Sequence, residues 1–369
     1  MNRRCFLATT GLALGGLPTI ASGKSESPEN PKISSSPVRM HLGCQSGPME
    51  DEHFRFLKRH GVEAVCGTLA PAQDGHTWTV AELLKLKERV EKNGLCLEMV
   101  QVPFLGSLHI DQNRRAAIVL GQDPERERDI EEVCTLIRNC AQAGLFAIKY
   151  NLSLLGVLRT TSSPGRGDSR LSTWRLAEAN QRAGRLTRAG PVSSEVFWER
   201  ISYFLERVIP VATEYRVRMA CHPHDPCVPP GFAGVDCVLG TVDGLKKFVS
   251  ICESPYHGLN FCQGTICEML EKPAEEIFDV IRYFGRRGKI FNVHFRNIRG
   301  HRNDFQETYP DDGDIDMPRA LLTYQETGYR HMIMPDHVPQ HEEDPASRQA
   351  FAFCYGYIRG LLQSISRPG

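Results

Sequence analysis

No C-x-x-C pair occurs in the 369 residues, so neither a zinc ribbon nor a thioredoxin-type redox motif is encoded. No G-x-G-x-x-G follows the first strand-like segment, which leaves dinucleotide binding without its phosphate-cradling turn. Neither sign of charge is in excess: 44 Lys and Arg face 44 Asp and Glu. No global field therefore draws the chain to nucleic acid or to an anionic membrane. The weakly apolar stretch A-T-T-G-L-A-L-G-G-L-P-T-I-A-S-G is too short and too Gly-rich to be a permanent membrane anchor. No short internal repeat is present, which excludes a solenoid. What remains is ordinary for a folded protein, 41% hydrophobic and 24% charged, and enough to bury a full core.

The N-terminus carries Arg3-Arg4 ahead of that apolar stretch, in the manner of a twin-arginine export signal with cleavage near Ala21-Ser22-Gly23. The sequence thus predicts a signal over residues 1–23, a Ser/Pro/Lys/Glu-rich linker over 24–37, and a single folded domain over 38–369. A periplasmic, exported protein is expected, or a cytoplasmic one if the signal does not function. Thirteen Cys would suit a disulfide framework, but Cys66, Cys96, Cys134, Cys140, Cys252 and Cys354 sit in apolar runs as small hydrophobes. No pairing follows from the sequence.

From residue 38 onward, strand-like and helix-like segments alternate eight times. The strands are expected at 38–43, 63–68, 95–101 and 146–151, then in R-V-R-M-A-C-H, G-L-N-F-C, I-F-N-V-H and M-I-M-P-D. Helices fall between them, one of them with Thr79 as N-cap and Gly94 as stop, another opened by Pro273. Residues 152–192 break the rhythm. They are rich in Ser, Thr, Gly and Arg, and read as a long loop that serves as a lid or an oligomer contact. Eight alternations predict an α/β fold, a (β/α)₈ TIM barrel; a doubly wound open sheet is the alternative.

The last four strands each end on a residue that binds metal well: His222, Cys262, His294 and Asp336. Taken singly, each has a plainer reading as a structural His, a core Cys or a turn-capping Asp. In a parallel barrel, however, strand ends emerge on one face, so all four would converge there. Two imidazoles, a thiolate and a carboxylate suit a divalent transition ion. Asp225, Arg296, Glu307 and His337 lie close in sequence to these ends, and Asp314 and Asp316 are further acids, Asp316 a candidate helix cap. A His directly after a metal-binding Asp is well placed to move protons.

The segments R-V-R-M-A-C-H-P-H-D-P, G-L-N-F-C-Q-G-T, V-H-F-R-N, G-D-I-D-M and P-D-H occur in the order and approximate spacing of the mannonate dehydratase family, which the chain resembles over about residues 38–362. The resemblance extends to D-G-H-T-W near Trp78 and to K-Y-N at Asn151. It implies a xylose-isomerase-like, metal-dependent barrel and a hydro-lyase of carbohydrate (hexuronate) catabolism. Such an enzyme removes water from D-mannonate to give 2-keto-3-deoxy-D-gluconate, using Mn²⁺ or Fe²⁺. The implied ligands are His222, Cys262, His294 and Asp336. His337 and Arg296 are the expected catalytic residues, Arg296 pairing with the substrate carboxylate, and Asn151, Asp225 and Glu307 the expected substrate contacts. The expected partner is a small sugar acid, with no nucleic acid, no membrane anchor in the mature form, and self-association into a homo-oligomer. The chain departs from the family's pattern at His224, at Gln306, at Pro310 and at the P-D-H-V-P-Q-H segment, and Tyr355 is out of register with a family tyrosine. A metal-dependent isomerase or epimerase and a non-catalytic exported sugar-acid binder are the alternatives.

Overall fold

The computed structural model describes residues 39–69, 77–180 and 184–366. The expected signal and linker lie outside the described residues. Eight parallel strands close a barrel: β1 His41–Cys44, β2 Ala64–Gly67, β3 Cys96–Gln101, β4 Ala147–Asn151, β5 Arg218–His222, β6 His257–Cys262, β7 Ile290–His294 and β8 Met332–Met334. Each strand pairs with its neighbours in sequence, and β8 returns to β1. The principal helices are α1 Asp51–Arg59, α2 Val80–Lys92, α3 Glu125–Gln142, α4 Ser194–Glu214, α5 Val242–Ser250, α6 Pro273–Gly285, α7 Met317–Glu326 and α8 Arg348–Ser366. This is the (β/α)₈ barrel that the alternation predicts.

Local chemistry explains the helix ends. Thr79 and Glu82 form a reciprocal capping box at the start of α2, and Asp316 Oδ1 accepts from Arg319 N at 2.9 Å to cap α7. After α2 the chain turns at Gly94 with φ +74°, a left-handed conformation that costs glycine nothing.

Alternation along the strands sorts the core into two layers. Ala64, Cys66, Met99, Ala147, Ala220, Phe291, Met332 and Met334 fill the barrel interior. The outward set packs against the helices, with Phe54, Trp78, Phe197, Phe204, Phe248 and Phe284 fully buried there. On β4, Ala147 faces inward while Ile148 and Tyr150 join the outer layer, so Lys149 and Asn151 share the interior face. The same count puts His222 and Cys262 inside, each two residues beyond an inward position on its strand or its neighbour.

Two expectations need correction. β8 ends at Met334, two residues before Asp336, because Pro335 has no N–H to continue the ladder. Segments read as loop carry strand: Thr173–Arg175, inside the 152–192 excursion, pairs antiparallel with Asp304–Glu307, which pairs with Ile298–His301. Cross-strand hydrogen bonds thus order part of the excursion over the C-terminal end of the barrel, where Glu307 is the last residue of its strand. All twelve cysteines of the described residues are free thiols. Among the described residues, no helix is long and apolar enough to cross a membrane.

Candidate metal centre

Four interior positions meet where β5, β6, β7 and the segment after β8 come together. One ligand atom from each of His222, Cys262, His294 and Asp336 lies within 4.8 Å of every other, and the set is buried. Register explains the convergence, since His294 is paired with Cys262 across β7 and β6, and His222 with Asn151 across β5 and β4. Asp336 Oδ2 stands 3.4 Å from Cys262 Sγ and 3.3 Å from His294 Nδ1. His222 Nδ1 donates to the Pro223 carbonyl at 2.7 Å, which leaves the Nε2 lone pair free.

The donors fit a divalent ion. Asp336 Oδ1 is buried without a hydrogen-bond partner, a cost that a cation would relieve. Burial, the opposing imidazole and the Lys149 charge hold His222 well below the usual histidine range. Burial and the Lys149 charge push His294 down to about 4 against the pull of Asp336. Both rings are therefore neutral near pH 7, the form that ligates metal. Burial and the Asp336 charge push the Cys262 thiol up, so its proton must leave when a metal binds.

A second cluster adjoins the first. Ligand atoms of Asp225, Glu307 and His337 also lie within 4.8 Å of one another. Guanidinium groups hold its carboxylates. Arg296 Nη1 meets Asp336 Oδ2 at 2.9 Å and Glu307 Oε1 at 3.1 Å, while Nη2 meets Glu268 Oε1 at 2.8 Å and Asp225 Oδ2 at 3.2 Å. Arg159 Nη1 lies 2.6 Å from Asp225 Oδ1, and its Nη2 bonds Glu307. Gly264 makes room for this: a Cβ there would sit 2.2 Å from Arg296 Nε.

Arg296 is committed to protein groups in this arrangement. Its Nη atoms lie within ion-pair distance of four protein carboxylates and the residue is buried, so it organises the acids around it. Burial and the Asp225 charge push the Glu268 carboxyl well above the usual range, while Arg296 and Arg159 oppose the shift. Glu307 shifts the other way. Burial would raise it, yet Arg296, Arg159 and His337 bring it down to about 2.

The remaining expected residues fall as follows. Asn151 is buried beside the cluster and its amide reaches the Leu105 carbonyl at 3.5 Å. His224 is a structural residue: its Nε2 pairs with the Leu152 carbonyl at 2.9 Å, its ring stacks on Phe197, and burial pushes it down to about 4. Tyr355 is buried with its hydroxyl on Cys44 Sγ at 3.0 Å. Sequence reasoning missed Arg159, Glu268, Gln45 and Lys149. Period-two counting back from Asn151 would have found Lys149; nothing in the Ser/Thr/Gly/Arg-rich excursion marks Arg159.

Fold and site together define a TIM barrel with a candidate metal centre at the C-terminal ends of its strands. A solved mannonate dehydratase from Streptococcus suis serotype 2 superposes with a TM-score of 0.73 at 21% identity, over 88% of this chain and 95% of that one. A xylose isomerase domain protein from Planctomyces limnophilus gives a TM-score of 0.56 at 13% identity, over 90% and 99% of the two chains. At these identities the likeness is of fold. The profile of the D-mannonate dehydratase (UxuA) family matches residues 47–171 and 168–368, and the chain belongs to that family. A mannonate dehydratase of Thermotoga maritima is 30% identical over 311 residues, 75% of this chain and 82% of the relative. One from Geobacillus thermodenitrificans is 29% identical over 320 residues, 78% and 82% of the two chains. The family is metal-dependent, in keeping with the four-residue cluster. The expectation of an exported, periplasmic protein is overturned here, because the mannonate dehydratases that the chain matches are cytoplasmic enzymes.

Proposed function

We propose that the chain dehydrates a sugar acid, D-mannonate, to 2-keto-3-deoxy-D-gluconate and water, with Mn²⁺ or Fe²⁺ held by His222, Cys262, His294 and Asp336. The observation that carries this reading is the junction of the two clusters, where Arg296 touches Asp336 in one and Asp225 and Glu307 in the other. When bound, a divalent ion supplies Lewis acidity to the substrate's carboxylate and neighbouring hydroxyl. The reaction removes the C2 proton, expels hydroxide from C3, and returns a proton to C3 as the enol ketonises.

His337 is the proton carrier in this reading. Its Nδ1 lies 2.8 Å from Glu307 Oε1, and its side chain keeps 38% of its surface exposed amid buried neighbours. Burial lowers its pKa, but the Glu307 and Asp336 charges outweigh this, with Arg296 opposing, and the net shift is upward. A ring poised above the ordinary histidine value can protonate a departing hydroxyl. Arg296 and Arg159 keep Asp225 and Glu307 ionised and in place, and Asn151, Asp225 and Glu307 line the substrate's side of the centre. A homo-oligomer belongs to the same reading and is checked by sedimentation.

The test is an assay of manganese- and iron-loaded protein against a panel of aldonic acids, with product analysis. A 2-keto-3-deoxy acid formed fastest from D-mannonate is expected. Epimerised or isomerised acids with no loss of water would replace this reading with an epimerase or isomerase.

A further inference from the structure

Lys149 is buried inside the barrel, and no step above uses it. Its Nζ lies 2.7 Å from Gln45 Oε1, and the same oxygen lies 2.9 Å from His294 Nε2. Gln45 directly follows β1, on the far side of the barrel closure from β4. Three strands thus meet at a single amide oxygen.

Donor and acceptor roles here follow from elementary chemistry. An ammonium has three donors and no acceptor, so the Gln45 atom facing it is the carbonyl oxygen. A carbonyl oxygen has two lone pairs and donates nothing, so the second partner, His294 Nε2, must carry a proton. In a neutral imidazole the lone pair is then on Nδ1, the atom 3.3 Å from Asp336 Oδ2. Asn260 does not reverse this. Its Nδ2 approaches His294 Nε2 at 3.2 Å and Nδ1 at 3.5 Å, both longer than the 2.9 Å contact from Gln45, and its Oδ1 is taken by Asn292. His222 shows the opposite pattern, with Nδ1 on the Pro223 carbonyl and Nε2 free.

We infer that Lys149, acting through Gln45, is a positioning device that sets the tautomer of His294 and turns its Nδ1 toward the candidate ion. Without the ammonium, the amide of Gln45 can rotate and offer its NH₂, and the ring loses its fixed proton. This inference rests on His294 being a ligand. An imidazole's second hydrogen bond fixes ring and tautomer in metal sites generally, and its loss typically weakens metal binding by about ten- to a hundred-fold.

The test reads the tautomer and the metal separately. Nitrogen-15 NMR of histidine-labelled, metal-free protein reports which nitrogen of His294 is protonated, with His294→Gln giving the assignment. Titration with manganese, followed by calorimetry, gives the affinity. Wild type should show the Nε2–H form. Lys149→Met and Gln45→Leu should show mixed or inverted tautomers and about ten- to a hundred-fold weaker manganese binding. Gln45→Glu keeps an acceptor for both partners and should restore both readouts, which also covers a misfolded Lys149→Met. An Nδ1–H wild type, or Gln45→Leu with unchanged tautomer and affinity, would overturn the relay alone. Wild type with the Nε2–H form but no manganese bound would overturn both the relay's purpose and the metal reading.

Discussion

His337 Nδ1 sits 2.8 Å from Glu307 Oε1 and 2.6 Å from Arg296 Nη1, held between a carboxylate and a guanidinium. Arg296 Nη1 also bonds Asp336 Oδ2 at 2.9 Å and lies 3.1 Å from Glu307 Oε1 as an ion pair. Glu307 is ionised and can only accept while Arg296 can only donate, so both hold Nδ1, and in the proposed reaction the proton exchanged with substrate is carried on Nε2.

His337→Asn should therefore keep the metal and the fold while turnover falls by about a hundred- to ten-thousand-fold. Asn preserves one side of the ring's hydrogen bonding but carries no exchangeable proton of suitable pKa. Metal content and single-turnover rate on the same variant check this. Metal loss in step with activity loss would make His337 a support for Asp336 only.

Cys262→Ala should lose most of the bound ion. The thiol is buried against Asp336 Oδ2 at 3.4 Å and Thr265 Oγ1 at 3.1 Å, and no neighbouring group can replace its charge as a ligand. Elemental analysis of purified variant and wild type is the measurement; equal occupancy would remove Cys262 from the ligand set.

Arg296→Met should destabilise the protein by about 3–5 kcal/mol, because it strands buried carboxylates without their counter-charge. Urea midpoints with an unchanged slope would show this. Wild-type stability would mean that the acids find other partners or take up protons freely.

How far all this could be read from residues alone differs by region. The barrel and the metal set follow from short-range rules: a strand's period of two, a capping box at Thr79, and ligands at successive strand ends. The second cluster does not. Arg296 was visible as a charge near His294, but its role depends on Glu268 and Asp225, which reach it from separate loops. Arg159 comes from an excursion whose composition suggests only loop, and it is ordered by pairing with a hairpin that leaves no strong local signal. Side chains that meet through tertiary contact carry no periodic mark.

At the other end of the barrel, Glu98 links His41 Nε2 at 2.6 Å with Arg218 and His331. Burial would raise the Glu98 carboxyl, but hydrogen bonds from His331 and His41 and the charges of His41 and Arg218 hold it well below the usual range. A depressed carboxylate stabilises the fold above its unfolded value, and that contribution is lost as pH falls toward the folded one. Acid should therefore weaken the wild type progressively below about pH 4. Glu98→Gln should cost about 2 kcal/mol near neutrality and flatten the acid limb. Unfolding free energies measured across pH on both proteins check it; parallel acid limbs would exclude Glu98 as a contributor.

The most direct measurement of the central claim is the reaction of metal-loaded protein with D-mannonate in deuterated water, followed by NMR and mass spectrometry of the product. The dehydratase reading predicts a 2-keto-3-deoxy acid, short of one water and carrying a solvent deuterium at C3. An aldonic acid that keeps all its oxygens and carries deuterium at C2 would contradict it, as would firm metal binding with no reaction at all.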